Sequence, residues 1–113
     1  LPIKYGADFI SFRDGVVKSF IEAKCRTNPK DQYPSYMISL HKVITVLSYS
    51  EPRGVPFVLF VQWTDCIGFV TIDRILVAVA EIRMGTNGTR TDAADYEPCI
   101  YIPNQSFKIV NTL

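Results

Sequence analysis

Residues 19–28 read SFIEAKCRTN and place two opposite charges inside an apolar stretch. Glu22 and Lys24 stand two positions apart in a segment that is otherwise typical of a β-strand. Because side chains alternate between the two faces of a strand, Phe20, Glu22 and Lys24 share one face. The opposite face, carrying Ile21, Ala23 and Cys25, is expected to point toward a helix. At roughly 3.3 Å of rise per residue, the two charges lie about 7 Å apart along the strand.

The residues before this strand predict a hairpin with it. Asp14-Gly15 is a strong turn signal between two runs of β-type residues. If the turn has an odd-length loop, such as a type I turn with a glycine bulge, Asp8 falls on the same face as Glu22. A strict two-residue turn would place Asp8 on the opposite face. The loop length therefore decides whether the two carboxylates meet.

Two neighbouring carboxylates predict a metal site. They repel each other unless a cation lies between them, and Mg²⁺ takes carboxylate oxygens while keeping several waters. The backbone carbonyl of Ala23 is a further candidate ligand. A metal there would polarise a phosphate, and Lys24 would orient the attacking water or offset charge on phosphorus. The alternative is a surface ion pair between Glu22 and Lys24, worth under about 1 kcal/mol.

The middle of the chain predicts a crossover helix between two parallel strands. From Ser35 to Ser50, apolar residues at 37, 40, 44 and 47 mark one helix face, with Ser35 as the N-cap. Residues 51–56, EPRGVP, end the helix. The following run FVLFVQW is almost wholly apolar, as expected of a strand buried on both faces. Strand, helix and strand in this order favour a parallel pair.

The rest of the chain extends the sheet. CIGFVTI (66–72), CIYIP (99–103) and FKIV (107–110) are typical of strands, and RILVAVAEIRM (74–84) favours strand over helix. GTNGTRTDAADYEP (85–98) is a predicted loop. The predicted fold class is α/β, with a mixed β-sheet and a central crossover helix. The length of 113 residues favours a single domain, 1–113.

Composition excludes several functional classes. The hydrophobic and charged shares of 48% and 20% are those of a soluble globular domain. The longest apolar runs are too short for a bilayer span, which needs about 20 residues. Three widely spaced cysteines without a CxxC pair argue against a zinc site or a disulfide framework and fit a reducing cytoplasm.

Charge is unevenly distributed along the chain. Residues 1–53 carry eight Lys/Arg against five acids, whereas residues 54–113 carry four against six. The basic bias around KCRTNPK (24–30) suits contact with phosphates, although a solvated face is an equal reading. The predicted contacts to a phosphate backbone are Arg26, Lys30, Lys42 and Arg53.

The order GAD (6–8), EAK (22–24), amphipathic helix and GVPFVLFVQW (54–63) resembles the PD-(D/E)xK nuclease superfamily over residues 5–72. The similarity is greatest to its small phage and prophage members. The resemblance implies a restriction-endonuclease-like core in which Asp8 and Glu22 bind Mg²⁺ or Mn²⁺ and Lys24 assists attack on a DNA phosphodiester. Members often add a residue from the following helix, for which Lys42 and Tyr36 are candidates. Ala7 stands where many members have proline.

The leading hypothesis is therefore a metal-dependent nuclease acting on DNA in the cytoplasm of a bacterial or phage-infected cell. Endonuclease and exonuclease action both fit, and many members of the superfamily act as homodimers to cut both strands. An alternative is a catalytically inactive domain of the same fold that serves as a nucleic-acid-binding or assembly module. A third is a protein-interaction domain in which Glu22 and Lys24 are only surface charge.

Overall fold

A computed structural model describes residues 9–85 and 96–113. Its eight strands are β1 Phe9–Arg13, β2 Val16–Cys25, β3 Ser35–Ser39, β4 Phe57–Gln62, β5 Cys66–Ile72, β6 Glu81–Gly85, β7 Glu97–Pro103 and β8 Lys108–Thr112. The two α-helices are α1 Leu40–Ser50 and α2 Arg74–Val79. No helix within the described residues is long and apolar enough to cross a membrane.

The strands form two sheets. A five-stranded sheet has the order β1-β2-β4-β5-β8, and a three-stranded sheet has the order β3-β7-β6. The pair β2–β4 is parallel and the other pairs are antiparallel. Helix α1 lies on the connection from β2 to β4, as the crossover prediction requires, and its Val43, Val46 and Leu47 join the hydrophobic core. The α/β class with a mixed sheet is confirmed, and so are the strands predicted at β4, β5, β7 and β8.

The β1–β2 hairpin has a two-residue turn, and not the odd-length loop that the sequence analysis required for Asp8 and Glu22 to share a face. Asp14 and Gly15 form a two-residue turn with φ of 53° and 78°, the left-handed conformations that tight hairpin turns favour. A β-bulge then shifts the register, because Ser11 pairs with Ser19 whereas Phe12 pairs with Val17. The extra residue, Lys18, is therefore left without a pairing partner. The bulge, and not the turn, places Phe9 opposite Ile21.

Strand β2 turns the opposite face to the core from the one predicted. Phe20 and Glu22 are buried, with exposures of 1% and 0%, whereas Ala23 and Cys25 are exposed. The prediction placed the charged side chains on the face away from the helix. Burial of Phe20 turns its face toward the core, and Glu22 is on that same face because side chains alternate along a strand. Glu22 consequently lies within the protein. The reading of Glu22 and Lys24 as a surface ion pair is wrong.

The crossover helix begins later than predicted. Residues Ser35–Ser39 form strand β3, in which Tyr36 and Ile38 are buried, and Ser39 is the N-cap of α1. The apolar residues of SYMIS fit a period of two as well as a helical period, and pairing with β7 decides in favour of the strand. Ile44, which was assigned to the buried helix face, is 54% exposed.

Replacing Ser39 by alanine is expected to lower the free energy of unfolding by about 0.5–1 kcal/mol. The Ser39 hydroxyl accepts a hydrogen bond from the Lys42 N–H at 3.4 Å, a long cap contact that places the value at the low end. Ser35→Ala is the matched control. Ser35 lies in β3, so its replacement should change the free energy of unfolding little. Urea denaturation of both variants measures the difference. A larger loss for Ser35→Ala would contradict the position of the cap.

The segment after β5 combines a helix and a strand. Residues 74–79 form α2, with the Asp73 carboxylate accepting a hydrogen bond from the Leu76 N–H at 2.8 Å, and the strand prediction is wrong there. It holds for β6, Glu81–Gly85, which pairs with β7. The N-cap favours the helix at this point. Asp73 accepts a hydrogen bond from the Leu76 N–H, which would otherwise need a partner on a neighbouring strand. Of the predicted loop, residues 86–95 lie outside the described residues.

Candidate active site

Glu22 is the centre of the candidate site. It lies in the middle of β2, opposite Leu59 of β4, and its side chain is fully buried. Two ammonium groups approach the same carboxylate oxygen: Lys24 Nζ lies 2.9 Å and Lys42 Nζ 2.7 Å from Glu22 Oε2. The side chains of Lys24 and Lys42 are 36% and 28% exposed, so they lie between the carboxylate and the solvent and cover it.

The second carboxylate oxygen, Glu22 Oε1, accepts no hydrogen bond within the described residues. Oε2 also lacks a hydrogen bond of regular geometry, but the short distances to Lys24 and Lys42 identify both contacts as ion pairs. A buried polar atom without a partner costs about 1–3 kcal/mol, and more if it is charged. A carboxylate kept at such a cost indicates function more than stability.

A cavity of about 520 Å³, here called the Glu22 cleft, opens above this group. Lys24 and Lys42 line it together with Arg26, and none of its described lining residues is acidic. Lys24 belongs to β2, Arg26 directly follows β2, and Lys42 belongs to α1. The cleft therefore offers concentrated positive charge next to a buried carboxylate, an arrangement suited to an anionic group such as a phosphate.

Tyr36 fixes the Arg26 side chain at the wall of the Glu22 cleft. The Arg26 guanidinium donates to the Tyr36 hydroxyl at 2.5 Å and lies 4.7 Å from the centre of its ring. Burial of the phenol raises the pKa of Tyr36 to about 12, with Arg26 opposing the shift and Glu22 adding to it. Tyr36 is therefore neutral at physiological pH and retains a hydroxyl proton that it can donate to a phosphate oxygen.

A second cavity, of about 480 Å³ and here called the distal cavity, adjoins the Glu22 cleft. The two share Arg26, Tyr36 and Met37, and the distal cavity adds the cations Lys30 and Arg83. Its described lining residues again include no acid. The two adjoining cavities, together called the basic groove below, are lined by five cations.

The structure brings some of the predicted residues together and leaves others apart. Lys24 and Lys42 meet at Glu22, and Arg26 and Lys30 line the basic groove. Ala23 is paired with Phe60 in the sheet. Arg53, which donates to the Tyr49 carbonyl at 2.8 Å, lines neither cavity of the groove.

Asp8 lies outside the described residues. It is adjacent in sequence to Phe9, whose partner Ile21 is adjacent to Glu22.

Two groove residues were missed by sequence reasoning. Arg83 in β6 and Tyr101 in β7 line the distal cavity, and the Arg83 guanidinium lies 3.9 Å from the centre of the Tyr101 ring. Arg83 Nε is also paired with Glu81 Oε1 at 2.9 Å. Both residues come from the three-stranded sheet, in a region for which the sequence suggested no function. The only available signal in the sequence was the spacing of Glu81 and Arg83, which are two positions apart and would share one face of a strand.

The described donor set fits a divalent metal ion in part. Glu22 Oε1 is a buried carboxylate oxygen that accepts no hydrogen bond from residues 9–85 or 96–113, and a hard cation binds this kind of atom. However, no cluster of three or more His, Cys, Asp or Glu side chains occurs in residues 9–85 and 96–113. A complete metal site would therefore need a second carboxylate in addition to Glu22.

The loop between β2 and β3 is held from two sides. The Lys30 N–H donates to the Asp65 carboxylate at 3.0 Å, and Thr64 N–H donates to the Asn28 carbonyl at 3.1 Å. From the other side, the buried Asn104 side chain donates to the Lys30 carbonyl at 2.9 Å and to the Tyr33 carbonyl. These contacts fix the positions of Lys30 and Tyr33 beside the distal cavity.

Asp65 should make the stability of the protein depend on acid pH. The hydrogen bond from the Lys30 N–H is the main cause that holds the pKa of Asp65 below its usual 3.8. Because the folded-state pKa is depressed, the stabilisation is present above pH 3.8 and is lost as the pH falls through the lowered value. Asp65→Asn keeps an acceptor but cannot titrate. Melting temperatures from about pH 5 to 2 should therefore fall more steeply for the wild type than for Asp65→Asn; parallel curves would contradict this role.

Comparison with known families identifies a family to which the chain is similar. The model of a family described as "Phage putative PDDEXK endonuclease" matches residues 1–110. The match includes strands β1 to β7, the first three residues of β8, the two α-helices and the residues that line the Glu22 cleft. No curated protein matches the chain.

Proposed function

The chain belongs to this family of phage PDDEXK endonucleases, and on that premise we propose that it hydrolyses phosphodiester bonds in DNA with a divalent metal ion. The observation that carries the proposal is Glu22 Oε1, a fully buried carboxylate oxygen that accepts no hydrogen bond from the described residues and lies beneath a cleft lined by three cations. This arrangement is costly for folding but useful for binding a metal ion and a phosphate. A homodimer and a cytoplasmic location remain predictions from the sequence.

Glu22 and Asp8 would hold the metal ion, Mg²⁺ or Mn²⁺, with the Ala23 carbonyl as a further ligand. The register of the hairpin supports this pairing: Phe9 lies opposite Ile21, and Asp8 and Glu22 are the next residues in each strand direction. The bulge at Lys18 sets Phe9 opposite Ile21, and this register supports the proposal. When bound, such an ion supplies Lewis-acid polarisation of the phosphate and a more acidic water.

The remaining groups of the cleft would bind and orient the phosphodiester. Lys24 would assist the attacking water and offset the charge that develops on the phosphate oxygens. Lys42 would share this neutralisation, since both ammonium groups already lie against Glu22. Arg26 is held by Tyr36 and presents a planar guanidinium suited to a phosphate. Its fixed position limits the side-chain entropy lost when DNA binds.

Cleavage of a DNA panel tests the proposal. Linear, nicked and branched DNA would be incubated with wild-type protein at about 5–10 mM Mg²⁺ or Mn²⁺, or with EDTA. The expected result is cutting that requires the metal ion and is lost in Glu22→Gln purified in parallel. Equal cutting by Glu22→Gln would indicate a contaminating nuclease or another site, and would contradict the proposal.

A second function is favoured by one observation. Glu22 is fully buried, and Lys24 and Lys42 cover it, which suits a catalytically inactive domain that binds nucleic acid through the basic groove. The same panel separates the two functions. DNA binding without cutting, at any of the metal concentrations used, would favour the inactive binding module.

A further inference from the structure

We propose that the distal cavity binds an unpaired DNA strand next to the phosphodiester that is cut. The inference rests on the proposed function, because it takes the Glu22 cleft as the position of cutting and the distal cavity as its continuation. It specifies the substrate as DNA with a single-stranded segment, as in branched, gapped or frayed DNA. Blunt duplex DNA would be a poor ligand of the groove.

Charge is the first argument. The basic groove is lined by five of the twelve Lys and Arg residues of a chain whose net charge is only +1, and none of its described lining residues is acidic. Carboxylates outside the lining offset part of this charge: Glu22 pairs with Lys24 and Lys42, Asp31 with Lys30, and Glu81 with Arg83. Its cations follow one after another: Lys24 and Lys42 at the Glu22 cleft, Arg26 at the junction, and Lys30 and Arg83 in the distal cavity. Positive charges spread over two adjoining cavities complement a polynucleotide backbone better than an isolated small anion.

Size is the second argument. The distal cavity, at about 480 Å³, is comparable with pockets that enclose a single small molecule, which span about 300–1,000 Å³. Such a space can receive one base or sugar at a time. It is lined by residues of the three-stranded sheet, such as Arg83 and Tyr101, and by residues outside the strands, such as Asn28 and Trp63. A strand must be unpaired to present its bases individually in this space.

An aromatic surface is the third argument. Tyr33 lines the distal cavity and is 56% exposed, although a large aromatic side chain gains little from exposure to water. The loop contacts made by Asn104 and Asp65 hold the backbone beside it in place. Aromatic side chains beside a basic groove bind single strands by stacking on bases, whose faces are available only when they are unpaired.

Trp63 allows this inference to be tested without cutting. It is the only tryptophan in the sequence, it lines the distal cavity, and Lys30 Nζ lies 5.8 Å from the centre of its ring. Its fluorescence would be titrated in EDTA with oligothymidylate, with oligouridylate and with a blunt DNA duplex of equal length. Oligothymidylate is expected to change the emission to saturation and to bind at least about 10-fold more tightly than the duplex.

Matched variants assign the binding to the groove. Tyr33→Ala should weaken oligothymidylate binding by about 5- to 100-fold, and Tyr33→Phe should restore it, because the phenyl ring still stacks. The control Tyr96→Ala removes an exposed aromatic side chain, 45% accessible, that does not line the groove. Arg83→Gln should reduce the slope of log affinity against log salt by about 0.7, whereas Arg53→Gln should leave it unchanged.

The outcomes separate this inference from the proposed function. Equal binding of duplex and single strand, or equal effects of Tyr33→Ala and Tyr96→Ala, would overturn the inference even if the protein cuts DNA with metal. A preference for oligouridylate of 10-fold or more would overturn the assignment to DNA. Strand binding that depends on Tyr33 and Arg83 without any metal-dependent cutting would support the inference and contradict the nuclease.

Discussion

Replacing Glu22 by glutamine is expected to lower the rate of metal-dependent DNA cleavage by at least about 100-fold, the lower range for losing a group that acts on the reacting atoms. Glutamine keeps the shape of the side chain but removes the charge that a divalent cation requires. The ion pairs from Lys24 and Lys42 to Oε2 would be lost with it. Both consequences should slow cleavage of the phosphodiester, so a small effect on the rate would contradict the assignment of Glu22 to the active site.

The same change is expected to lower the free energy of unfolding by no more than about 1 kcal/mol. Removing one partner of a buried ion pair often costs about 3–5 kcal/mol, because the other charge remains buried. Here the remaining charges are Lys24 and Lys42, which are partly exposed and can be solvated. Glutamine also removes the cost of burying a carboxylate whose Oε1 has no hydrogen bond in the described structure.

Measuring both quantities on one preparation distinguishes function from stability. Urea denaturation gives the change in unfolding free energy, and single-turnover cleavage gives the rate. Glu51→Gln is the matched control: Glu51 pairs with Arg74 at 2.8 Å on the surface, away from the groove, and should affect neither quantity much. A loss of several kcal/mol in Glu22→Gln, with cleavage falling only in proportion to unfolding, would make Glu22 a structural residue.

Replacing Lys24 by alanine is expected to lower the cleavage rate by about 100-fold, with a smaller change in DNA affinity. Lys24 lies at the cleft with its ammonium 2.9 Å from Glu22, so its loss removes positive charge where the phosphate would react. Lys42→Ala should have the smaller effect on the rate. The measurement is single-turnover cleavage at saturating DNA, with affinity determined separately in EDTA.

Lys18→Ala is the control for this comparison. Lys18 lies on the same strand, is exposed and does not line the groove, so its loss should leave the rate near that of the wild type. If Lys42→Ala gave the larger fall in rate, Lys42 and not Lys24 would be the lysine that assists the attack. Deleting Lys18 should behave differently from Lys18→Ala, because it removes the bulge that sets the register of β1.

Elements set by local sequence were predicted well. The Asp14-Gly15 turn, the apolar strand β4 and the parallel pairing of β2 with β4 all follow from short patterns. The failures arose where tertiary contacts choose between two locally acceptable structures. SYMIS suits a helix or a strand, and only its pairing with β7, more than 60 positions away in sequence, makes it β3.

The candidate site was predicted only in part, because some of its residues are brought together by tertiary contacts. Glu22 and Lys24 follow from the spacing on β2, but the expectation that charge faces solvent assigned them to the wrong face. Their approach to Lys42 depends on where α1 begins, which the sequence did not reveal. Arg83 and Tyr101 join the groove through the pairing of β6 with β7, a contact for which no short motif exists.

Binding of Mn²⁺, followed by the electron paramagnetic resonance of the free ion, tests the central claim most directly. If Glu22 and Asp8 share a metal ion, the wild type binds Mn²⁺ at a saturable site. Glu22→Gln and Asp8→Asn should each weaken that binding by at least about 10-fold, while Glu51→Gln leaves it unchanged. Equal binding of Mn²⁺ by the wild type and Glu22→Gln would contradict the claim, since Glu22 would then be only the partner of two lysines.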